Sequence, residues 1–199
     1  MLSKELLGAV SVVLTAVAYV PYFHSILQRQ TKPHLFSWII WTLVAGIVCA
    51  AQYVKGAGPG SWMAGFTALM CLGVAAFAVD RGEKNITRGD WIALGGGFLA
   101  IVLWRLTENP LGAVLIACLI DLFACYPTYR KSYAKPWEES ATSYSLQALR
   151  AVFALAALES YSIVTALPPA VLIVLNGFLT CLLLWRRAVV GSAKKLGGR

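Results

Sequence analysis

The sequence predicts an all-α membrane protein of seven transmembrane helices, and three observations predict it. The chain of 199 residues is 59% hydrophobic and only 13% charged, whereas a soluble domain is nearer half apolar and a quarter charged. Its apolar residues fall into runs of about 20, the length that crosses a hydrocarbon core of ~30 Å as a helix. Its basic residues cluster in alternate gaps between those runs, the pattern that sets membrane topology.

The segments are Leu6–Leu27, His34–Val54, Gly60–Val79, Asp90–Thr107, Pro110–Arg130, Ser145–Leu167 and Pro169–Trp185. Punctuation separates them: Thr31-Lys-Pro33, Gly56-Ala-Gly-Pro-Gly60, the stretch from Asp80 to Asp90, Asn109-Pro110, Lys135-Pro136 and Pro168-Pro169. The fourth segment is the weakest, because Gly95-Gly96-Gly97 interrupts it. That triplet has no strand before it, so it suits close helix packing rather than a phosphate. Leu6 to Ala18 has the length of a signal-peptide core and Ala16-Val17-Ala18 the pattern of a cleavage site. Lys4 and Glu5 cancel in front of it, however, and the repeat described next needs the segment as a mature helix.

With seven spans, the odd-numbered loops and the C-terminus share one side. That side holds 13 of the 17 Lys and Arg residues, whereas the other holds Lys4, Lys55 and Arg105, and Arg150 lies inside a span. The positive-inside rule puts the N-terminus outside and the C-terminus in the cytoplasm of a cell (inner) membrane protein. The sequon Asn85-Ile86-Thr87 then faces the cytoplasm, away from glycosylation. The net charge of +8 does not indicate nucleic acid, because the basic residues form no single face. Cys49, Cys71, Cys118, Cys125 and Cys181 all lie in apolar stretches without metal-type spacing. No nucleophile–base constellation and no metal-ligand set is visible, so the reading is of no enzyme, no cofactor and no metal.

The first and last three segments resemble each other. Ala18-Tyr-Val-Pro21 answers Ala124-Cys-Tyr-Pro127, and a serine followed by an aromatic comes sixteen residues after each proline, as Ser37-Trp38 and Ser143-Tyr144. Ala51-Gln52-Tyr53 answers Leu158-Glu159-Ser160, and Pro59 answers Pro169. The plan is 3+1+3: residues 1–80 as a first three-helix bundle, 81–108 as a cytoplasmic loop and linker helix, 109–190 as a second bundle, and 191–199 as a basic cytoplasmic tail. Each half has an odd number of helices, so one linker helix leaves both halves pointing the same way, a known transporter plan.

From Leu6 to Arg187 this helix plan, its orientation and its paired prolines resemble the SWEET/PQ-loop superfamily of sugar, amino-acid and vitamin carriers. The proline–glutamine pair of that superfamily is replaced here by Pro21-Tyr22 and Pro127-Thr128, while the serine after the loop is present as Ser37 and Ser143. Bacterial membrane proteins with the loop Arg81-Gly-Glu-Lys-Asn-Ile-Thr-Arg88 look similar, and vitamin carriers of the Pnu type share the architecture. The resemblance implies a SWEET-like fold and a carrier function. It also implies that Asn176 stands where sugar carriers use an asparagine, and the first half has only Met63, Phe66 or Thr67 at the matching place.

Charges inside a bilayer are costly and face a cavity or a partner. Asp121 lies about 16 Å into the fifth segment, Glu159 about 10 Å from the outer end of the sixth, and Arg150 about 7 Å from its cytoplasmic end. The stem of Arg150 is long enough to snorkel, and it stands as a possible ion-pair partner for the acids. Nine positions separate Arg150 from Glu159, so on one helix they face opposite sides. Asn176, about 10 Å from the outer end of its helix, is expected level with Glu159. Gln52 answers Glu159 in the repeat, and Trp38, Trp41 and Tyr161 can stack a ring. Asp121, Glu159, Asn176, Gln52, Trp38, Trp41 and Tyr161 are thus the expected substrate contacts, and Pro21 and Pro127 the hinges, since each frees a backbone carbonyl.

The expected function is a membrane carrier of a small polar solute, such as a sugar, amino acid or vitamin, working by alternating access with a proton as the candidate coupling ion. The same plan also serves a receptor that binds a partner without transport. The lipid bilayer and a small-molecule substrate are the expected partners, a homo-oligomer is compatible, and nucleic acid is not expected. Reporter fusions test the topology: one after Arg199 should read cytoplasm and one near Lys55 should read exterior. The opposite readout would overturn the orientation.

Overall fold

A computed structural model gives the architecture. It describes residues 3–29, 33, 35–82, 88, 91, 95, 98, 102, 106, 109–134, 136–137 and 140–196, and only the backbone of residues 25, 123–124, 126–128, 130–131 and 191–196. The described residues form helices and turns, with no strand among them. The helices are α1 (Lys4–Leu27), α2 (Leu35–Val54), a 3-10 turn (Gly58–Ser61), α3 (Trp62–Arg81), α4 (Pro110–Ala134), α5 (Ala141–Ala156) and α6 (Ile163–Leu196). Four are long and apolar enough to cross a membrane: α1, α2, the turn joined to α3, and α6. In α4 the apolar stretch covers Pro110–Leu122, and α5 has 16 residues.

Local chemistry explains the boundaries. Ser3 caps α1 by accepting from the Leu6 N–H at 3.2 Å, and Ser140 caps α5 through the Ser143 N–H at 3.2 Å. Pro21 sits inside α1, which continues through it. Pro127 falls within α4, and its side chain lies outside the described residues. The fourth predicted segment, its loop and most of the span between residues 83 and 108 also lie outside them. Arg88, Trp91, Gly95, Phe98, Val102 and Leu106 are helical and exposed there, and Trp91 meets Phe36 edge-on at 4.7 Å.

The sixth and seventh segments divide elsewhere than the sequence suggests. The break spans residues 157–162, and Pro168 and Pro169 lie inside α6. Ser162 and Thr165 start α6 with a reciprocal cap: Thr165 N–H donates to Ser162 Oγ at 3.2 Å, and Ser162 N–H to Thr165 Oγ1 at 2.9 Å. Proline cannot bond to the carbonyl four residues back, so Pro169 frees the Thr165 carbonyl. The Gln52 amide nitrogen donates to that oxygen at 2.7 Å, which satisfies it without breaking the helix. Pro59 and Pro169 are therefore not equivalent, because Pro59 lies in the turn before α3 and Pro169 in the second turn of α6.

Helix packing falls into two trios. In the first, α3 lies between α1 and α2; in the second, α6 lies between α4 and α5. Across the trios α1 packs on α5 and α2 on α4. One end of the molecule collects the start of α1, the end of α2, the 3-10 turn, the start of α4, the end of α5 and the start of α6; it is called the Glu159 end below. The opposite end carries Arg81, Arg186 and Arg187. Arg186 lies over the Tyr133 ring at 4.1 Å and Arg187 over Trp137 at 5.1 Å, the aromatic–basic combination suited to a headgroup layer.

The apolar core differs between the ends. Toward the Glu159 end it merges both trios: Val44, Val48 and Ala64 pack with Ala117, Ala51 with Val114 and Val164, and Met63 with Ala151 and Ala154. Toward the Arg186 end, among the described residues, it forms a cluster around Tyr19, Ile26, Trp38 and Val74 and another around Ala141, Leu179 and Leu183, one in each trio. Outward stripes such as Val13, Val17 and Val20, or Leu115, Leu119 and Leu122, remain exposed and suit lipid rather than water.

The Glu159 end depends on close backbone approach. Gly58 adopts φ +58° with the Glu159 carboxylate against its Cα, and a Cβ on Gly60 would meet Leu158 Cα at 2.9 Å and Ala154 O at 3.0 Å. Gly60→Ala should therefore lower stability in detergent by about 1–3 kcal/mol. Gly112→Ala, whose Cβ would meet nothing within 4 Å, should raise it by about 0.5–1 kcal/mol. Thermal unfolding of both variants checks the pair.

Candidate functional site

The polar centre of the molecule is built around Arg150, which projects from α5 and is 5% exposed. Its Nη1 donates to Thr67 Oγ1 on α3 at 2.8 Å and to Thr15 Oγ1 on α1 at 3.2 Å. Both threonines turn their hydroxyl hydrogens into their own helices, to Met63 O at 2.7 Å and Ser11 O at 2.8 Å. Each oxygen therefore presents lone pairs to the guanidinium. Ser11 Oγ in turn donates to the Arg150 carbonyl at 2.8 Å, so backbone and side chain of one residue are held by the other trio. Arg150 Nε is buried without a hydrogen-bond partner among the described residues. Below this group, Tyr19 Oη and Cys71 Sγ meet at 3.2 Å.

Asp121 lies eleven residues into α4, half-buried, about 16 Å from the start of the helix as expected. Ala113 and Ala117, two turns and one turn before it on the same face of α4, are buried, and Ala117 packs with Val44, Val48 and Ala64 across the seam. Yet Asp121 forms neither an ion pair nor a hydrogen bond among the described residues. Among the described residues, the interior thus holds Arg150 and Asp121 without an ion pair between them.

The remaining expected residues are not gathered with them. Glu159 is exposed in the connection after α5 and not inside a span, because the chain leaves the helix at Ala157 and the Glu159 N–H donates to Ala57 O at 3.1 Å. It lies at the end of the bundle and does not share a depth with Asp121. The argument that Arg150 and Glu159 face opposite sides of one helix lapses with it. Asn176 is thirteen residues into α6, about 20 Å from its start, so it is not level with Glu159. Its Nδ2 donates to Leu172 O at 2.9 Å within the same helix. Gln52 is buried as the staple to Thr165, with its Oε1 unpartnered. Trp38 is buried in the Arg186-end cluster of the first trio, edge-on to Trp41 at 5.1 Å, and Trp41 is exposed on the outside. Tyr161 is exposed, donates to Leu155 O at 2.9 Å and lies beneath Lys4 at 5.5 Å. Arg150 does not snorkel, because Thr15 and Thr67 hold it inside.

A groove of about 720 Å³ opens at the Glu159 end, lined by Glu5, Tyr53, Trp62, Phe66 and Glu159 among others. It collects one expected residue, Glu159, without Asp121. Sequence reasoning missed Thr15 and Ser11, named Thr67 only as a counterpart of Asn176, and read Cys71 only as a cysteine in an apolar stretch. Their signal was present: Ser11 with Thr15 and Thr67 with Cys71 are pairs four apart, each a narrow polar stripe on an otherwise apolar helix.

Fold and site together define a protein whose described residues are helical, with four helices long and apolar enough to cross a membrane and a charged group buried between two helix trios. No family profile, curated protein or solved structure matches the chain.

Replacing a buried charge by an apolar side chain of similar volume is often neutral or stabilising, whereas removing its partners strands it. Arg150→Met should accordingly insert and unfold at or above the wild-type temperature. Thr15→Val with Thr67→Val should lower stability, by about 1–3 kcal/mol in total, and adding Arg150→Met to that pair should restore it. Detergent thermal unfolding of the four proteins checks the cycle; an Arg150→Met protein that fails to fold would make the group a structural element.

Proposed function

We propose that this chain is a seven-helix membrane carrier of a small polar solute, built as a 3+1+3 parallel repeat and working by alternating access. The observation that carries the proposal is the pair Arg150 and Asp121, both carried by the second trio, on α5 and α4, and without an ion pair between them. Intramembrane ionisable groups are expensive and are retained where a solute or ion passes. The packing order supports the repeat. Exchanging α1, α2 and α3 for α4, α5 and α6 exchanges α1–α3 packing for α4–α6, α2–α3 for α5–α6, and α1–α5 for α4–α2. Corresponding helices also start at the same end, as a twofold axis along the membrane normal requires and inversion forbids.

The ends supply the asymmetry that alternating access needs. At the Glu159 end the trios share a core and are bonded through Lys4 to Ala156 O, Gln52 to Thr165 O and Glu159 to Ala57 O. At the Arg186 end, among the described residues, the apolar clusters lie one in each trio. This reads as a state closed at the Glu159 end. With the N-terminus outside, in a cell (inner) membrane, it is an inward-facing state. Glu159 belongs to the closure in this reading, Asp121 and Arg150 to solute or proton handling, and Pro21 and Pro127 to the bending of α1 and α4.

Proteoliposomes tested for uptake of amino acids, sugars and ring-bearing vitamins should accumulate one class, and Asp121→Asn should reduce that uptake at least tenfold while the protein still inserts. No uptake of any class, with a protein partner co-purifying in stoichiometric amount, would replace the carrier by a receptor of the same plan.

A further inference from the structure

We propose that the interior site takes a small zwitterion, a molecule carrying one carboxylate and one ammonium group. The proposal deepens the carrier reading and rests on it for the route by which the molecule reaches the site. The first support is the unused edge of Arg150. Nη1 is committed to two threonine oxygens, whereas Nε is buried without an acceptor. A guanidinium offers its donors in a planar fork, and a carboxylate is the small group that matches such a fork with two parallel bonds. Neutral hydroxyls already occupy the other edge, so a sugar would only duplicate what Thr15 and Thr67 supply.

The second support is Asp121. Its carboxylate is half-buried, one turn beyond Ala117, which packs at the seam with Val44, Val48 and Ala64, and it forms no ion pair or hydrogen bond among the described residues. An ammonium group satisfies it by charge and by hydrogen bonds. The two protein groups sum to zero, and so do the two ends of a zwitterion. The occupied centre then stays neutral while each of its four charges gains an opposite neighbour. A simple anion would leave the centre with a net negative charge, and a simple cation with a net positive one, in a medium where an unpaired charge is costly. A molecule whose charges match the gap from Arg150 to Asp121 bridges α5 and α4, so it can couple occupancy to the packing of α5 on α1 and α3 at the same guanidinium.

The test uses the purified full chain in detergent and a ladder of ω-amino acids: glycine, β-alanine, 4-aminobutyrate and 6-aminohexanoate. Propionate, propylamine and glucose serve as single-charge and neutral probes. One or two members of the ladder should raise the thermal midpoint in a saturable way, because binding the folded state stabilises it. The three other probes should give no saturable shift at the same concentrations. Arg150→Met should remove the shift, and Asp121→Asn should weaken the amino acid at least tenfold, bringing it close to propionate. Saturable binding of glucose that survives Arg150→Met, or propionate binding as tightly as the best amino acid, would overturn the proposal. So would a ladder with no shift at any length. Zwitterion binding without flux in liposomes would refute the carrier and keep the site, whereas flux of a neutral solute without zwitterion binding would refute the site and keep the carrier.

Discussion

A guanidinium held away from water must find its acceptors in the protein, and Arg150 finds them across the seam. It belongs to the second trio, while Thr15 and Thr67 belong to the first. This one group therefore fixes how α5 sits against α1 and α3, and Ser11 locks the same register through the Arg150 carbonyl. The threonines can serve because their hydroxyl hydrogens are already spent on their own helices. Hydrogen bonds to charged groups contribute more than neutral ones, and leaving such a group unsatisfied costs more still. The seam is consequently sensitive at this point and tolerant elsewhere.

The consequences run along the molecule in both directions. Toward the Glu159 end, small residues and glycines let the backbones approach, so Gly60 lies against Leu158 and Gly58 against Glu159. There the freed carbonyl of Thr165 is taken by Gln52 from the other trio, so a proline that would weaken a lone helix becomes a tie between two. Toward the Arg186 end the apolar clusters of the described residues lie one in each trio, and basic side chains rest on aromatic rings at the rim. In the carrier reading, the strong end is a closed gate, the Arg150 centre is the pivot, and the divided end is where the trios part.

Much of the fold was legible because membrane helices leave a coarse signal. Lipid demands long apolar runs, and the starts and ends of α1, α2, α3 and α4 follow those runs to within a few residues. The boundary between α5 and α6 was not legible, because two prolines are a stronger sequence signal than the Ser162–Thr165 cap that starts the helix. The rescue of Pro169 comes from Gln52, more than a hundred residues away, and no local pattern announces it. Placing that boundary wrongly carried Glu159 into the membrane on paper and Asn176 to the wrong depth. Asp121 and Arg150 were legible as charges in apolar surroundings. Their partners were not, since Thr15 and Thr67 read as ordinary small polar residues until a third helix is brought against them.

The most direct test of the account is a pair of interhelical distances measured by spin labels on the full chain in liposomes, in a cysteine-free background. One pair spans the trios at the Glu159 end, at Lys55 and Ser160; the other spans them at the opposite end, at Val79 and Val189. The account predicts a narrow distribution for the first pair and a broad or two-peaked one for the second without ligand. A solute that binds should redistribute both pairs, lengthening one as the other shortens. Two narrow distributions that no solute or pH change alters would contradict it, and would leave a rigid bundle with a buried arginine in place of a carrier.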